Sequence, residues 1–371
     1  TAGARGRRVL LLEGAEKPGK KILISGGGRC NFTNIHCAPE NFLSANRHFC
    51  KSALARYRPA DFIALVEKHG IAWHEKTLGQ LFCDGSARAI VDMLLSECTA
   101  GGVTLRTGQH ITDVRRGDRF RVETDDGAAE ASSLVLATGG LSIPKMGATG
   151  FTHDVARRFG LALTETRPAL VPLTFDAEAL ALMQPLSGVA LDCRAQCGTA
   201  AFREAMLMTH RGLSGPAILQ ISSYWRERAA IALDLMPGRD APERLLDIKR
   251  ARPKAGAKSA LAEDLPARLA ASLAGAYLPD KPMGEMPDKQ LDALGRRINR
   301  WELTPNGTEG YAKAEVTLGG VDTAGLSSRT MEAKEVPGLF IVGEAVDVTG
   351  WLGGYNFQWA WASGRAAGEA A

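Results

Sequence analysis

The sequence predicts an α/β protein, a Rossmann-like domain on a parallel sheet, interrupted by an insert with strands and helices of its own. Three observations predict it. The run Arg7–Glu13 has four apolar residues closing on an acid, the pattern of a buried parallel strand. A second run, Leu134–Ala137, leads straight into Thr138-Gly139-Gly140. A third ends at Val342 and is followed by Gly353-Gly354 and a helix-like stretch to about Ala370. At 371 residues the chain exceeds one ordinary core, so more than one domain is expected.

The elements follow in order. Asp61–Gly70 and Ala87–Ala100 have helical apolar spacing, and Val103–Arg106 and His110–Val114 read as short strands. Arg119–Thr124 and Glu130–Leu136 bracket Asp125-Asp126-Gly127 as a hairpin. Gly147–Gly150 opens a helix over Thr152–Phe159. From residue 170 the texture changes. Leu170–Phe175, Ala190–Gln196 and Ala229–Leu235 read as an antiparallel layer, a small β-barrel over about 170–236. A helical part follows over about 237–300, with helices near Asp264–Tyr277 and Asp288–Arg300. Tyr311–Thr317 is expected to be a strand leading back. The expected division is thus 1–169 for the first part of the main domain, 170–315 for the insert and 316–371 for the returning part.

Three glycine-rich segments carry the chemistry. In Gly26-Gly27-Gly28-Arg29-Cys30-Asn31, three glycines let backbone approach a flat ligand or a phosphate, and Arg29 offers a planar fork of donors. Thr138-Gly139-Gly140 lies where a parallel strand ends, at the ligand-binding edge of such sheets. In the third segment the acids Glu344 and Asp347 can accept hydrogen bonds from ribityl hydroxyls. The helix launched by Gly353-Gly354 presents amides with partial positive charge, suited to the pyrimidine edge of a flavin. Trp351, Tyr355, Phe357, Trp359 and Trp361 either line a ring pocket or fill core. Ala360, Gly364 and Gly368 leave one helical face small for close packing. Glu13 fits the acid that binds an adenosine ribose, or is simply the end of a strand. In the first case the glycine loop that precedes such an acid by about twenty residues is expected upstream of Thr1.

Composition excludes other classes. With 45 basic and 41 acidic residues the net charge is +4, too small for a strong polyanion field, so no nucleic-acid partner is expected. The basic run Lys249–Lys254 reads as a solvated face. No apolar stretch approaches the ~20 residues of a membrane span, no signal-like core opens the chain, and a cytoplasmic location is expected. Seven cysteines without a Cys-x-x-Cys pair fit reduced thiols and disfavour disulfide-reductase chemistry. Cys30, His36, Cys37, His48 and Cys50 lack zinc-knuckle spacing, so no metal is expected. The oligomeric state is not encoded legibly.

Taken together, Ile22–Asn34, Leu136–Gly140, Thr209–Pro216, Val316–Val321 and Gly338–Phe357 resemble the BaiN/RdsA-like NAD(P)/FAD-dependent oxidoreductases, some of them aminoacetone-oxidase-like flavoproteins. The resemblance runs over nearly the whole chain in the same motif order. It implies a glutathione-reductase-like FAD domain with a barrel-and-helix insert. It also implies Glu13 at the adenosine ribose, the Ile111 backbone at the adenine, and Gly26–Asn31 near flavin and pyrophosphate. Gly343, Glu344 and Asp347 would then serve the ribityl–pyrophosphate region, and Gly353, Gly354, Tyr355, Asn356 and Phe357 the ring. The implied activity passes a hydride through flavin N5 between NAD(P)H, as a transient co-substrate, or a small organic substrate and a second acceptor. Alternatives are a small-amine oxidase giving peroxide, and a non-catalytic flavin-binding RNA-associated protein. Cys30, beside Arg29, and His210, before a helix, are the candidate catalytic side chains.

Overall fold

A computed structural model describes residues 1–371 and divides them into two compact units, Thr1–Pro168 with Glu315–Ala371, and Ala169–Ala314.

The first unit is built around short parallel pairs. Strand β1 (Leu10–Leu12) precedes α1 (Lys20–Ile24), β2 (Asn31–Asn34), α2 (Pro59–Lys68), β3 (Gln80–Cys83) and α3 (Arg88–Ala100). Then come β4 (Thr104–Arg106), β5 (Ile111–Arg116), β6 (Phe120–Thr124), β7 (Gly127–Ala131), β8 (Leu134–Leu136) and α4 (Phe151–Arg158). β1 pairs in parallel with β4, as Leu10 to Thr104 and Leu12 to Arg106. The expected burial of these strands is corrected: Leu10 and Leu11 are 37% and 42% exposed and Val135 is 40% exposed. The strands are apolar as read, but each parallel pair stands as a two-stranded sheet with open edges. The hairpin is also re-drawn. β7 begins at Gly127 and pairs with β6, while β8 is a separate strand.

The second unit holds β9 (Leu173–Thr174), β10 (Ala190–Cys197), β11 (Ala200–Thr209), β12 (Gly212–Ser214), α5 (Pro216–Ser222) and β13 (Ile231–Asp234). Helices α6 (Ala241–Ala251), α7 (Ala267–Tyr277) and α8 (Asp288–Asn299) follow, with a short helix at Ala257–Leu261, then β14 (Trp301–Leu303) and β15 (Gly307–Thr308). The seven strands form one antiparallel sheet in the order β14-β13-β10-β11-β12-β9-β15. Its two edge strands are separated in sequence only by Thr304–Asn306, so the sheet must curl until its edges lie within a short loop's reach. The basic run starts in the last turn of α6 and continues beyond it, and three of its four charges are paired: Lys249 with Asp288, Arg250 with Asp247 and Arg252 with Glu263.

The chain returns to the first unit through β16 (Val316–Leu318), shorter than the expected Tyr311–Thr317 because residues 311–313 form a turn. β17 (Leu339–Ile341) pairs in parallel with β8, and α9 (Tyr355–Ala370) closes the unit. One face of α9 is buried through Trp359, Ala362, Ser363, Ala366 and Ala367. The small stripe expected at Ala360, Gly364 and Gly368 packs closely only at its end. A Cβ at Gly368 would meet Thr1, whereas one at Gly364 would meet nothing. No helix is long and apolar enough to cross a membrane.

Candidate functional site

The glycine-rich segments come together in two places within the first unit. The first is the junction of β2 with the start of α9. All four residues of β2 are buried. Thr33 Oγ1 lies 2.6 Å from Gln358 Oε1, Asn34 Nδ2 donates to the Gly353 carbonyl at 2.9 Å, and Trp361 Nε1 donates to the Phe32 carbonyl at 2.8 Å. The Trp361 ring stacks between Phe62 at 4.6 Å and Phe357 at 5.5 Å. Trp359 is sealed and its Nε1 donates to the Gly343 carbonyl at 3.0 Å. Trp359 and Trp361 are therefore core and junction packing.

Gly353 and Gly354 hold left-handed φ values of 106° and 96°. A Cβ at Gly353 would lie 2.9 Å from the Gln80 side chain, and one at Gly354 would run into the Thr33 carbonyl oxygen. The contacts that demand glycine there come from protein, not from space kept open for a ligand. α9 nevertheless starts on Gly354 with no side chain capping its first turn. Asn356 bonds the Gly350 amide and carbonyl at 2.8 and 2.9 Å, and Tyr355 packs edge-on to Phe42 and Trp351.

The second place is a polar cluster around Glu344. Its carboxylate accepts from Lys21 Nζ at 2.6 Å, Ser142 Oγ at 2.6 Å, the Thr317 amide at 3.0 Å and Thr317 Oγ1 at 3.0 Å. Lys21 Nζ also donates to Ser142 Oγ at 2.7 Å, and the Leu141 amide donates to Thr317 Oγ1 at 2.8 Å. Gly140 is pressed into this cluster, since a Cβ there would sit 2.5 Å from Thr317 Oγ1 and 2.8 Å from Glu344 Oε1. The turn after β8 and the segment after β17 thus meet at one carboxylate, which Lys21 reaches from just ahead of the first glycine-rich segment. Lys21, Ser142 and Thr317 escaped the sequence reading, although each lies within a few residues of a glycine motif.

At three other glycines of these segments the backbone is bare. Gly27 and Gly139 have φ values of 66° and 79° with open space in front of them, and at Gly28 the nearest atom is the Leu23 carbonyl at 3.9 Å. Arg29 is exposed beside them, and Thr138 Oγ1 bonds Thr152 Oγ1 at 2.8 Å. Glu13 and Ile111 come together by another route. The Gln109 amide donates to the Glu13 carbonyl at 3.0 Å, which sets the start of β5 beside the end of β1, while the Glu13 carboxylate accepts from the Ala15 amide at 2.8 Å.

Other candidates are turned inward or elsewhere. Cys30 is fully buried and burial pushes its thiol up to about 12, against a smaller downward pull from Ser25. It is a packed thiol rather than one activated by Arg29. Asp347 is buried, which raises its carboxyl. It accepts from the Ala45 amide at 2.9 Å, so it ties down the 44–45 loop. His210 is exposed at the hairpin tip between β11 and β12 in the second unit, where its carbonyl accepts from Gln184.

Comparison with known proteins bears on this site. The family model described as the HI0933-like protein Rossmann domain matches residues 1–370. The chain is 52% identical over 372 residues to a ribosomal RNA dihydrouridine synthase of Escherichia coli (strain K12), covering 99% of this chain and 93% of that protein. It is 44% identical to a ribosomal RNA dihydrouridine synthase of Haemophilus influenzae, over 97% of this chain and 92% of that one. A 3-dehydro-bile acid delta(4,6)-reductase of Clostridium scindens is 28% identical over 98% and 92%. The expectation that nucleic acid plays no part is overturned by the first two names. Net charge misled because it averages the whole surface, whereas an enzyme needs only a local complement to its RNA.

Proposed function

The chain belongs to the HI0933-like Rossmann-domain family, the BaiN/RdsA-like flavoproteins, and from that premise we propose that it reduces uridine in ribosomal RNA to dihydrouridine. The observation that carries the reading is 52% identity across 99% of the chain to a protein named for that reaction. The more distant bile-acid reductase supports the reaction class. Its named substrate and uracil each present a carbon–carbon double bond conjugated with a carbonyl, and reduction of either adds one hydride and one proton.

The residues fit FAD. Gly27, Gly28 and Gly139 offer bare backbone in conformations open to a ligand, and α9 offers an uncapped first turn. Glu13 and the Ile111 backbone would hold the adenosine end, Gly26–Asn31 and Thr138–Gly140 the central part, and Gly353–Phe357 the ring end. Bound FAD supplies two-electron hydride chemistry, with NAD(P)H as the proposed donor. The amides at the start of α9 would favour negative charge on the ring edge they face. With ribosomal RNA as substrate, the cytoplasm is the proposed place of action.

The test is to incubate FAD-loaded protein with NADH or NADPH and ribosomal RNA lacking dihydrouridine. A nucleoside gaining two hydrogens at a single position is expected by mass spectrometry. Flavin that is reduced while every uridine stays unchanged would sink the reading.

A further inference from the structure

Strands β8 and β17 run side by side in parallel, with Leu136 opposite Ile341, so the turns that follow them leave the same end of the pair. One turn carries Thr138-Gly139-Gly140 and the other Gly343-Glu344-Ala345. A dinucleotide held at that end of a parallel sheet lies across the turns, and their separation decides how well it seats. The Glu344 cluster joins the two turns once, through Ser142 Oγ to the Glu344 carboxylate at 2.6 Å. Helix α4 joins them a second time.

The first turn of α4 follows Gly150, which has a left-handed φ of 75° and supplies no capping side chain. The second and third residues of the helix, Thr152 and His153, are polar and yet only 0% and 3% exposed. Buried polar side chains find hydrogen-bond partners, and these two find theirs on the two turns. Thr152 Oγ1 lies 2.8 Å from Thr138 Oγ1, and His153 Nε2 donates to the Ala345 carbonyl at 3.1 Å. A carbonyl only accepts, so the proton belongs on Nε2, and burial lowers the pKa of His153 and favours the neutral ring. The same Ala345 carbonyl accepts from the Val321 amide at 2.8 Å. Neighbouring residues of one helix thus each grip one turn: Thr152 the residue before Gly139, His153 the residue after Glu344. Consecutive Cα atoms stand ~3.8 Å apart across a trans peptide, so the helix backbone acts as a ruler of fixed length between the turns.

Resting on the reading of this unit as an FAD site, we propose that Thr152 and His153 are positioning residues for the flavin. Each acts through the turn it holds. Thr152 works through Thr138 on the bare Gly139, and His153 works through Ala345 on the Gly343–Glu344 segment that would serve the ribityl chain. A binding constellation tolerates only ~0.5 Å of error in its parts. Losing either bond frees one turn from the ruler while the other stays held, and the spacing between them is no longer fixed from the helix side. The consequence is weaker seating of FAD in a chain that still folds.

The experiment uses the full chain, stripped of flavin and titrated with FAD, with the denaturant midpoint measured alongside. Thr152→Val keeps the size and loses the hydroxyl, and His153→Leu loses the ring donor. Each should raise the FAD dissociation constant roughly tenfold, the weight of one hydrogen bond. Thr152→Ser and His153→Gln put back a hydroxyl and an N–H, and should return to within about twofold of the wild type. Because both residues serve one ruler, the double variant should lose less than the product of the two single losses. Thr152→Val is nearly isosteric, so it carries the test even if His153→Leu does not fold. A wild type that binds FAD, beside variants that bind it equally tightly and differ only in denaturant midpoint, overturns the positioning role alone. A wild type that takes up no FAD overturns the site reading instead, whatever the variants do.

Discussion

The glycines at Gly353-Gly354 and those at Gly27 and Gly139 look alike in sequence and share left-handed backbone, yet their surroundings are opposite. The first pair is walled in by Gln80 and the Thr33 carbonyl, and the second pair faces open space. Glycine at the start of α9 is therefore a packing requirement that lets β2 dock. Glycine in the two loops has no protein contact to explain it, which suits a surface kept bare for a ligand. The same residue type answers to two constraints, and only the environment separates them.

That contrast can be broken in graded steps. Gly354→Val combines a left-handed backbone with a backbone clash, so it should destabilise the fold by about 3 kcal/mol or more. The check is the denaturant midpoint, and a near wild-type value would remove the packing explanation. Gly139→Ala should cost about 1 kcal/mol from backbone conformation alone, while flavin retained per protein after dialysis drops severalfold. Loss of fold with no change in flavin retention would reverse the assignment of the two glycine sets. The smallest effect is expected for Trp361→Phe, which keeps a ring in the Phe62–Phe357 stack but gives up the bond to the Phe32 carbonyl. A loss of about 1 kcal/mol is expected, and none at all would mean that stacking alone holds the junction.

Much of the first unit was legible because strand ends and glycine turns are local signals. The runs Leu10–Leu12, Leu134–Leu136 and Leu339–Ile341 are strands near the expected places. Their burial was not legible, because exposure of Leu10 and Val135 depends on which strands stand alongside them. The longest strand, Ala200–Thr209, escaped notice. Its Ala, Glu, Met and Leu favour helix locally, and only pairing along the whole of β10 overrides that preference. Its alternation of buried Phe202, Met206 and Met208 was the available clue. In the site, glycine motifs were found, but the Lys21–Ser142–Thr317–Glu344 cluster joins residues up to 323 apart. No spacing rule reaches that far.

The β2–α9 junction also dictates an order of events during synthesis. Thr33 and Gln358, which meet across it, are 325 residues apart. Contacts that distant close late and expose apolar surface in the meantime. A nascent chain that has not yet added Trp361 has no partner for the Phe32 carbonyl or the Phe62 ring. The region of Gly26–Asn34 must then wait for the α9 segment. Competence to hold a dinucleotide should appear in a single late step, with no half-built form able to trap the cofactor along the way.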